Sequence, residues 1–179
     1  IVGSKSQGDI TLRALSLGNS IGTGPAGLTA EVLEVKSLDE LDQLGSSQIA
    51  NKIVFFNRPM DPRPLNTFNA YGSAADQRGS GAARAAKYGA AAVLVRSLTN
   101  QLDANPHTGG MSYQPGIPQI PALGISTLDA EILSDLLKKE SVNVYIRNTS
   151  RMLSEKLSYN VIGEIKGSEY PDQVIVVSG

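Results

Sequence analysis

The sequence predicts a mixed α/β fold, and three observations carry that prediction. Short runs rich in β-branched and aromatic residues recur at KIVFFN (52–57), AAVLVR (91–96) and VNVYIR (142–147). Between the first two lies GSGAARAAKYG (79–89), an alanine-rich helical run closed by Gly89 as its C-terminal glycine cap. Strand, helix and strand in that order normally make a parallel crossover. The chain has 179 residues, 18 of them glycine and none tryptophan, which suits one core with many turns.

Taken in order, residues 1–27 are glycine- and serine-rich with a weak apolar pattern at Ile10, Leu12, Ala14, Leu15 and Leu17. They predict one short strand among loops. Thr29 to Val35 alternates and predicts a strand. Ser37-Leu38-Asp39-Glu40 is a capping box that starts a short helix running to about Leu44. After the KIVFFN strand, a stretch with Pro59, Pro62 and Pro64 reaches Gln77 without a clear period, and reads as a long loop. Helix 79–89 and strand 91–96 follow, then a second polar loop over 100–119. Pro121 to Ser126 predicts a strand. Thr127 caps a helix with Ile132, Leu133, Leu136 and Leu137 at helical spacing, ending near Lys138 and Lys139, where basic residues suit the helix dipole. Beyond strand 142–147, residues 148–158 read as a linker. Residues 159–166 and 173–178 predict a hairpin turning at 167–172.

Composition excludes several functions. Sixteen basic against seventeen acidic residues signal no basic face for nucleic acid and no acidic tail. The absence of cysteine rules out disulfides, thiolate zinc sites and thiol nucleophiles. No apolar run approaches the roughly 20 residues of a membrane helix. The chain opens on Ile1 and closes just after Val174–Val177, four β-branched apolar residues in a row. Chains seldom end flush with a core strand, so both ends are expected to be cuts in a longer protein.

Candidate chemistry is sparse. GTGPAG (22–27) matches the dinucleotide pattern GxGxxG, but Pro25 interrupts it and a strand follows where a helix N-terminus is required, so it reads as a turn. His107, the only histidine, has no second ligand at a recognisable spacing; it is structural or touches substrate, and a metal role is the remote alternative. Arg78 stands at the head of the 79–89 helix. It either forms an anion pocket with that helix N-terminus or lies on the surface paired with Asp76. Asp61, Asp76 and Asp103 are scattered loop acids with no spacing that makes them a pair. Ser80 lacks the GxSxG elbow. Tyr71 and Tyr113 are rim contacts or packing, and Asn148-Thr149-Ser150 is a glycosylation sequon. No catalytic set and no metal-binding set emerges.

Several segments in order, KIVFFN, RGSGAARAAKYGAAAVLVRS, PHTGG with a following Tyr-Gln, and IPALGISTLDAEIL, resemble the protease-associated domain. The version they resemble is the one inserted in dizinc exopeptidases of the carboxypeptidase Q, or plasma glutamate carboxypeptidase, type. SIGTGPAGLTAEVLEVKSLDEL is similar to the segment entering that domain, and YNVIGEIKGSEYPDQVIVVSG to the start of the zinc peptidase domain. The resemblance covers nearly everything from about Leu15 onward.

It implies a swivelling β/β/α domain at 21–149, with 1–20 and 150–179 as flanking strands of a peptidase domain. In such relatives the strand matching Val174–Ser178 runs into a His-x-Asp pair that opens the zinc site. The parent would then carry two zinc ions, a metal-bound hydroxide and a general-base Glu, while this piece would hold no catalytic or metal residues and be inactive alone. Arg78 aligns with an arginine that holds the substrate's terminal carboxylate in glutamate carboxypeptidase relatives. Asn105 and His107 fall in a loop bordering the cleft. Residues 58–73 depart from the carboxypeptidase pattern. The implied role is a lid and substrate-contacting wall of a zinc aminopeptidase or carboxypeptidase; the alternative is a protein-interaction or dimerisation module. The implied partners are a peptide substrate, the chain's own peptidase domain and a possible second copy paired through Val174–Val177. The implied compartment is extracytoplasmic, periplasmic or secreted.

Overall fold

The alternating apolar runs become one twisted sheet with helices on both faces in the computed structural model, which describes residues 1–4 and 8–178. The strands are β1 (Val2–Ser4), β2 (Gly8–Ile10), β3 (Ala14–Ser16), β4 (Leu28–Val35), β5 (Ile53–Phe56), β6 (Ala92–Arg96), β7 (Ala122–Ile125) and β8 (Asn143–Ile146). The helices are α1 (Leu38–Ile49), α2 (Thr67–Gly79), α3 (Gly81–Lys87) and α4 (Thr127–Leu137). Strand order is β2-β1-β8-β4-β5-β6-β7-β3. The centre, β4 through β7, is parallel. Antiparallel additions extend it, β8, β1 and β2 on one side and β3 on the other. The fold is thus the expected mixed α/β class.

The parallel centre follows from its side chains. Every residue of β5 is buried, as are those of β6 and β7, the pattern of strands covered on both faces. Period two divides them. Val54 and Phe56 join Leu41 and Ile49 of α1 and Ala82, Ala85 and Ala86 of α3. Ile53 and Phe55 join Ala130, Leu133 and Leu136 of α4. Gly81 lets α3 lie directly on β5, since a Cβ there would come within 2.7 Å of the Phe56 ring.

The caps behave as their chemistry demands. Ser37 accepts from the Glu40 N–H at 3.0 Å, and the Glu40 carboxylate accepts from the Lys36 N–H at 2.6 Å, one residue earlier than in the standard box. Gly89, at φ +83, ends α3 as expected.

Several expectations need correction. Among the described residues the first 27 hold three short strands rather than one: β1 and β3 pair with the distant β8 and β7, and β2 pairs with its neighbour β1. The first helix breaks just after Leu44, as expected: Gly45 takes φ +62 and ψ −176, a non-helical conformation open to glycine, and a further helical stretch beyond that kink carries the chain to the buried Ile49. The stretch up to Gln77 is not one loop: α2 begins at Thr67, capped by the Asn66 side chain. The helix expected from Gly79 begins at Gly81. Ser126, not Thr127, caps α4, its side chain accepting from the Asp129 N–H. The C-terminal hairpin does not form. Residues 151–178 contain neither helix nor strand and all are exposed. Only the turn survives, with the Gln173 N–H donating to the Tyr170 carbonyl at 3.1 Å. The strands of an isolated hairpin gain too little to hold alone. No described helix is long and apolar enough to cross a membrane.

Candidate functional site

Beyond the C-terminal ends of β5 and β6 the chain builds a rim from α2 and the loop 97–111. Gln77, fully buried on α2, accepts from the Arg58 N–H at 3.1 Å and donates to the Arg58 carbonyl at 2.8 Å. Met60, Ala70, Ala74 and Leu98 pack beneath the helix as a small separate core. These contacts hold α2 over the ends of β5 and β6.

Arg78 lies in the last turn of α2, not at the head of a helix. The helix that follows has seven residues and no side-chain cap bond at Ser80, so the anion pocket expected from a helix N-terminus is not built. The C-terminal end of α2 favours a cation instead. Asp76 pairs with Arg58, so the expected surface pair with Arg78 is absent as well. The Arg78 guanidinium donates through Nη2 to the Tyr71 hydroxyl and stacks 5.2 Å from that ring's centroid. Its Nε is buried without a partner, and no carboxylate among the described residues pairs with it. Gly109 lies against it; a Cβ there would sit 2.7 Å from the guanidinium carbon.

The loop that carries Gly109 is tied down at both ends. Ser97 Oγ donates to the Ile125 carbonyl and accepts from the His107 N–H, both at 2.7 Å. The His107 carbonyl rests on Gly124, where a Cβ would approach it to 2.6 Å. Thr127 Oγ1 accepts from the Asp103 N–H at 2.8 Å, and Asp103 accepts from the Asn105 N–H at 2.8 Å. Farther on, the Gly18 N–H donates to the Gly109 carbonyl, and the Ser112 N–H to the Gly79 carbonyl. The structure therefore brings Arg78 and the His107 loop together through Gly109. The side chains of His107 and Asn105 are exposed, and neither is hydrogen-bonded to Arg78.

The remaining candidates separate into structural roles. Tyr113 accepts from the Ile21 N–H and donates to the Ile120 carbonyl, so it packs, whereas Tyr71 holds Arg78. Asp61 is held to about 2 by the Arg63 side chain and N–H, and it faces no second acid. GTGPAG is a turn leading into β4, with Gly24 and Gly27 at φ +77 and +75. Asn148 is only 6% exposed, and its amide donates to Ser16 Oγ and the Ile21 carbonyl, so in this fold the sequon asparagine is inaccessible. No group of three or more His, Cys, Asp or Glu among the described residues is placed to hold a metal. The residues present therefore do not fit a zinc centre.

Two cavities went unnoticed in the sequence. An uncharged groove of about 470 Å³ runs beside Tyr71, floored by Met60 and Leu98 and walled by Phe68. A polar crevice of about 560 Å³ opens between α1 and α4. In it Glu34 accepts from Lys36, Asn57 and Ser134, and Arg96 donates to Glu131 and Asn57. Burial pushes the Glu34 carboxyl up, but those donors outweigh it and hold the group below its ordinary value. Its charges largely neutralise one another.

The fold is a parallel-centred α/β sheet extended by antiparallel edge strands, with a rim arginine that pairs with no carboxylate among the described residues. The chain belongs to the protease-associated family: residues 24–133 match the PA domain. It is 41% identical over 166 residues to carboxypeptidase Q of Bos taurus, covering 92% of this chain and 33% of that protein. The Homo sapiens carboxypeptidase Q is 40% identical over the same shares. A peptidase M28 precursor from Shewanella amazonensis SB2B matches in structure with a TM-score of 0.76 at 30% identity, over 83% of this chain and 33% of that one. The chain thus spans about a third of the length of the curated relatives it matches.

Proposed function

We propose that this domain forms a lid and one wall of the cleft of a zinc-dependent exopeptidase, with Arg78 receiving the free carboxylate of a peptide substrate. The single observation that supports this best is a cation held on Tyr71 beneath Gly109 and left without a carboxylate of its own. His107 and Asn105 are exposed on the same rim and are assigned to its outer contacts. In this reading residues 21–149 are the protease-associated domain, and 1–20 and 150–179 belong with the peptidase domain. Two zinc ions and all catalytic groups lie outside this chain, in a protein that works outside the cytoplasm. The family membership and the names of the relatives support the hydrolase class.

Replacing Arg78 by alanine in the full-length peptidase carrying this chain tests the assignment. A charge-assisted hydrogen bond is worth roughly 1.5–3 kcal/mol, so KM for peptides with a free C-terminus rises about tenfold or more, while C-terminally amidated peptides are unaffected. An unchanged KM with a shifted oligomeric state favours the second reading, an interaction module. The exposed Val174–Val177 run supports that alternative, because an exposed apolar segment of strand-like composition invites pairing with another chain.

A further inference from the structure

We infer that the uncharged groove beside Tyr71 is a subsite for an apolar side chain, belonging to the same substrate residue whose carboxylate sits on Arg78. The inference rests on the Arg78 assignment above and adds the substrate class: peptides ending in a leucine-, methionine- or phenylalanine-like residue. Tyr71 is the shared wall. Its hydroxyl accepts from Arg78, and its ring lines the groove. A carboxylate and its side chain diverge from one Cα, so a residue anchored on the guanidinium has its side chain about one aromatic ring away. The lining carries no charged residue: Met60, Phe68, Tyr71 and Leu98 give it an apolar side, and Thr67, Thr99, Asn100 and Gln101 supply only neutral polar groups, so an acidic side chain placed there gives up water without gaining a cation. Phe68, in the first turn of α2, is 84% exposed at the mouth. The Asn66 cap holds its backbone by accepting from the Phe68 N–H at 3.0 Å, but nothing in the core requires an aromatic ring in that place. The volume falls within the range of small-molecule pockets.

The test is a titration of the 179-residue chain followed by NMR of the Met60 and Leu98 methyl groups. The probes are N-acetyl-leucine, N-acetyl-leucinamide and N-acetyl-aspartate. N-acetyl-leucine shifts both methyl signals saturably. The amide, which lacks the charge, and the aspartate, which lacks the apolar side chain, each bind roughly tenfold more weakly. Phe68→Ser, at an exposed position, weakens N-acetyl-leucine several-fold, and Arg78→Gln removes the preference for acid over amide. If N-acetyl-aspartate binds as well as N-acetyl-leucine while the acid is still preferred to the amide, the groove is not the subsite and the Arg78 assignment survives. If leucine is preferred with no distinction between acid and amide, the Arg78 assignment fails and the linked subsite fails with it. Absence of saturable binding overturns both. A Phe68→Ser variant whose self-association changes while its affinity for N-acetyl-leucine does not overturns the subsite alone, since the groove is then an interface between copies.

Discussion

Strand β5 and helix α2 are neighbours along the chain and are held by opposite means. β5 is sealed on both faces and contributes to two hydrophobic cores at once. α2 lies over the ends of β5 and β6, held by the buried Gln77 clasp and a four-residue apolar cluster, while Phe68 is exposed and Arg78 keeps an unpaired Nε. The contrast teaches that buried apolar contact is concentrated in the sheet, while exposed and incompletely paired groups lie on the rim. Rigid layers position loops and edge helices, and those carry the unsatisfied groups a ligand can use.

The sharpest way to break the comparison is to truncate one phenylalanine in each region. Phe55→Ala removes a fully buried ring and costs about 3–5 kcal/mol, read as a lower denaturant midpoint. Phe68→Ala stays within about 0.5 kcal/mol, as for surface positions generally. Equal losses would erase the distinction.

A smaller effect comes from acid. Asp129 is buried at the start of α4, where desolvation pushes its carboxyl up. The Arg13 side chain, Ser126 and the Arg13 N–H outweigh that and hold it below the ordinary value. A depressed carboxylate contributes stability above its unfolded pKa, about 3.9, and that contribution is lost as pH falls through the lower folded value. Acid unfolding monitored by circular dichroism therefore shows a stability loss beginning near that pH. Asp129→Asn removes this part of the slope. Arg78 has no acid partner, so substitution there leaves the acid profile unchanged.

A small change at Gly109 sharpens the rim. Gly109→Ala places a Cβ against the guanidinium of Arg78, the movable end of a long side chain. We expect a change of less than about 1 kcal/mol in stability, together with a raised KM for free-carboxylate peptides in the full-length enzyme. Unchanged kinetics would mean that Gly109 does not set the position of Arg78.

Much of the sheet was legible because its signals are local. KIVFFN and AAVLVR announce buried strands through their own composition, and the Ser37 cap with Glu40 announces α1. α2 was not legible. TFNAYGSAADQRG contains Gly72 and Gly79 and has a weak apolar period, and its support comes from Arg58, Met60 and Leu98, which lie outside it. Strands β1 and β3 were hidden for the same reason, since β1 pairs with β8 and β3 with β7 across most of the chain, and β2 is added at the edge on β1. The C-terminal run shows the reverse failure: strong strand composition without a partner forms no strand.

Sequence alone determined the fold class, the family resemblance and the near-neutral net charge, because composition, periodicity and capping act within a few residues; Arg78 was singled out from a helix start that the structure does not build there. Only tertiary structure decided that Asp76 belongs to Arg58, that Arg78 closes α2 against Tyr71 and Gly109, and that an uncharged groove shares that tyrosine. Those outcomes depend on contacts between segments far apart in the chain, and no local pattern encodes which segments will meet.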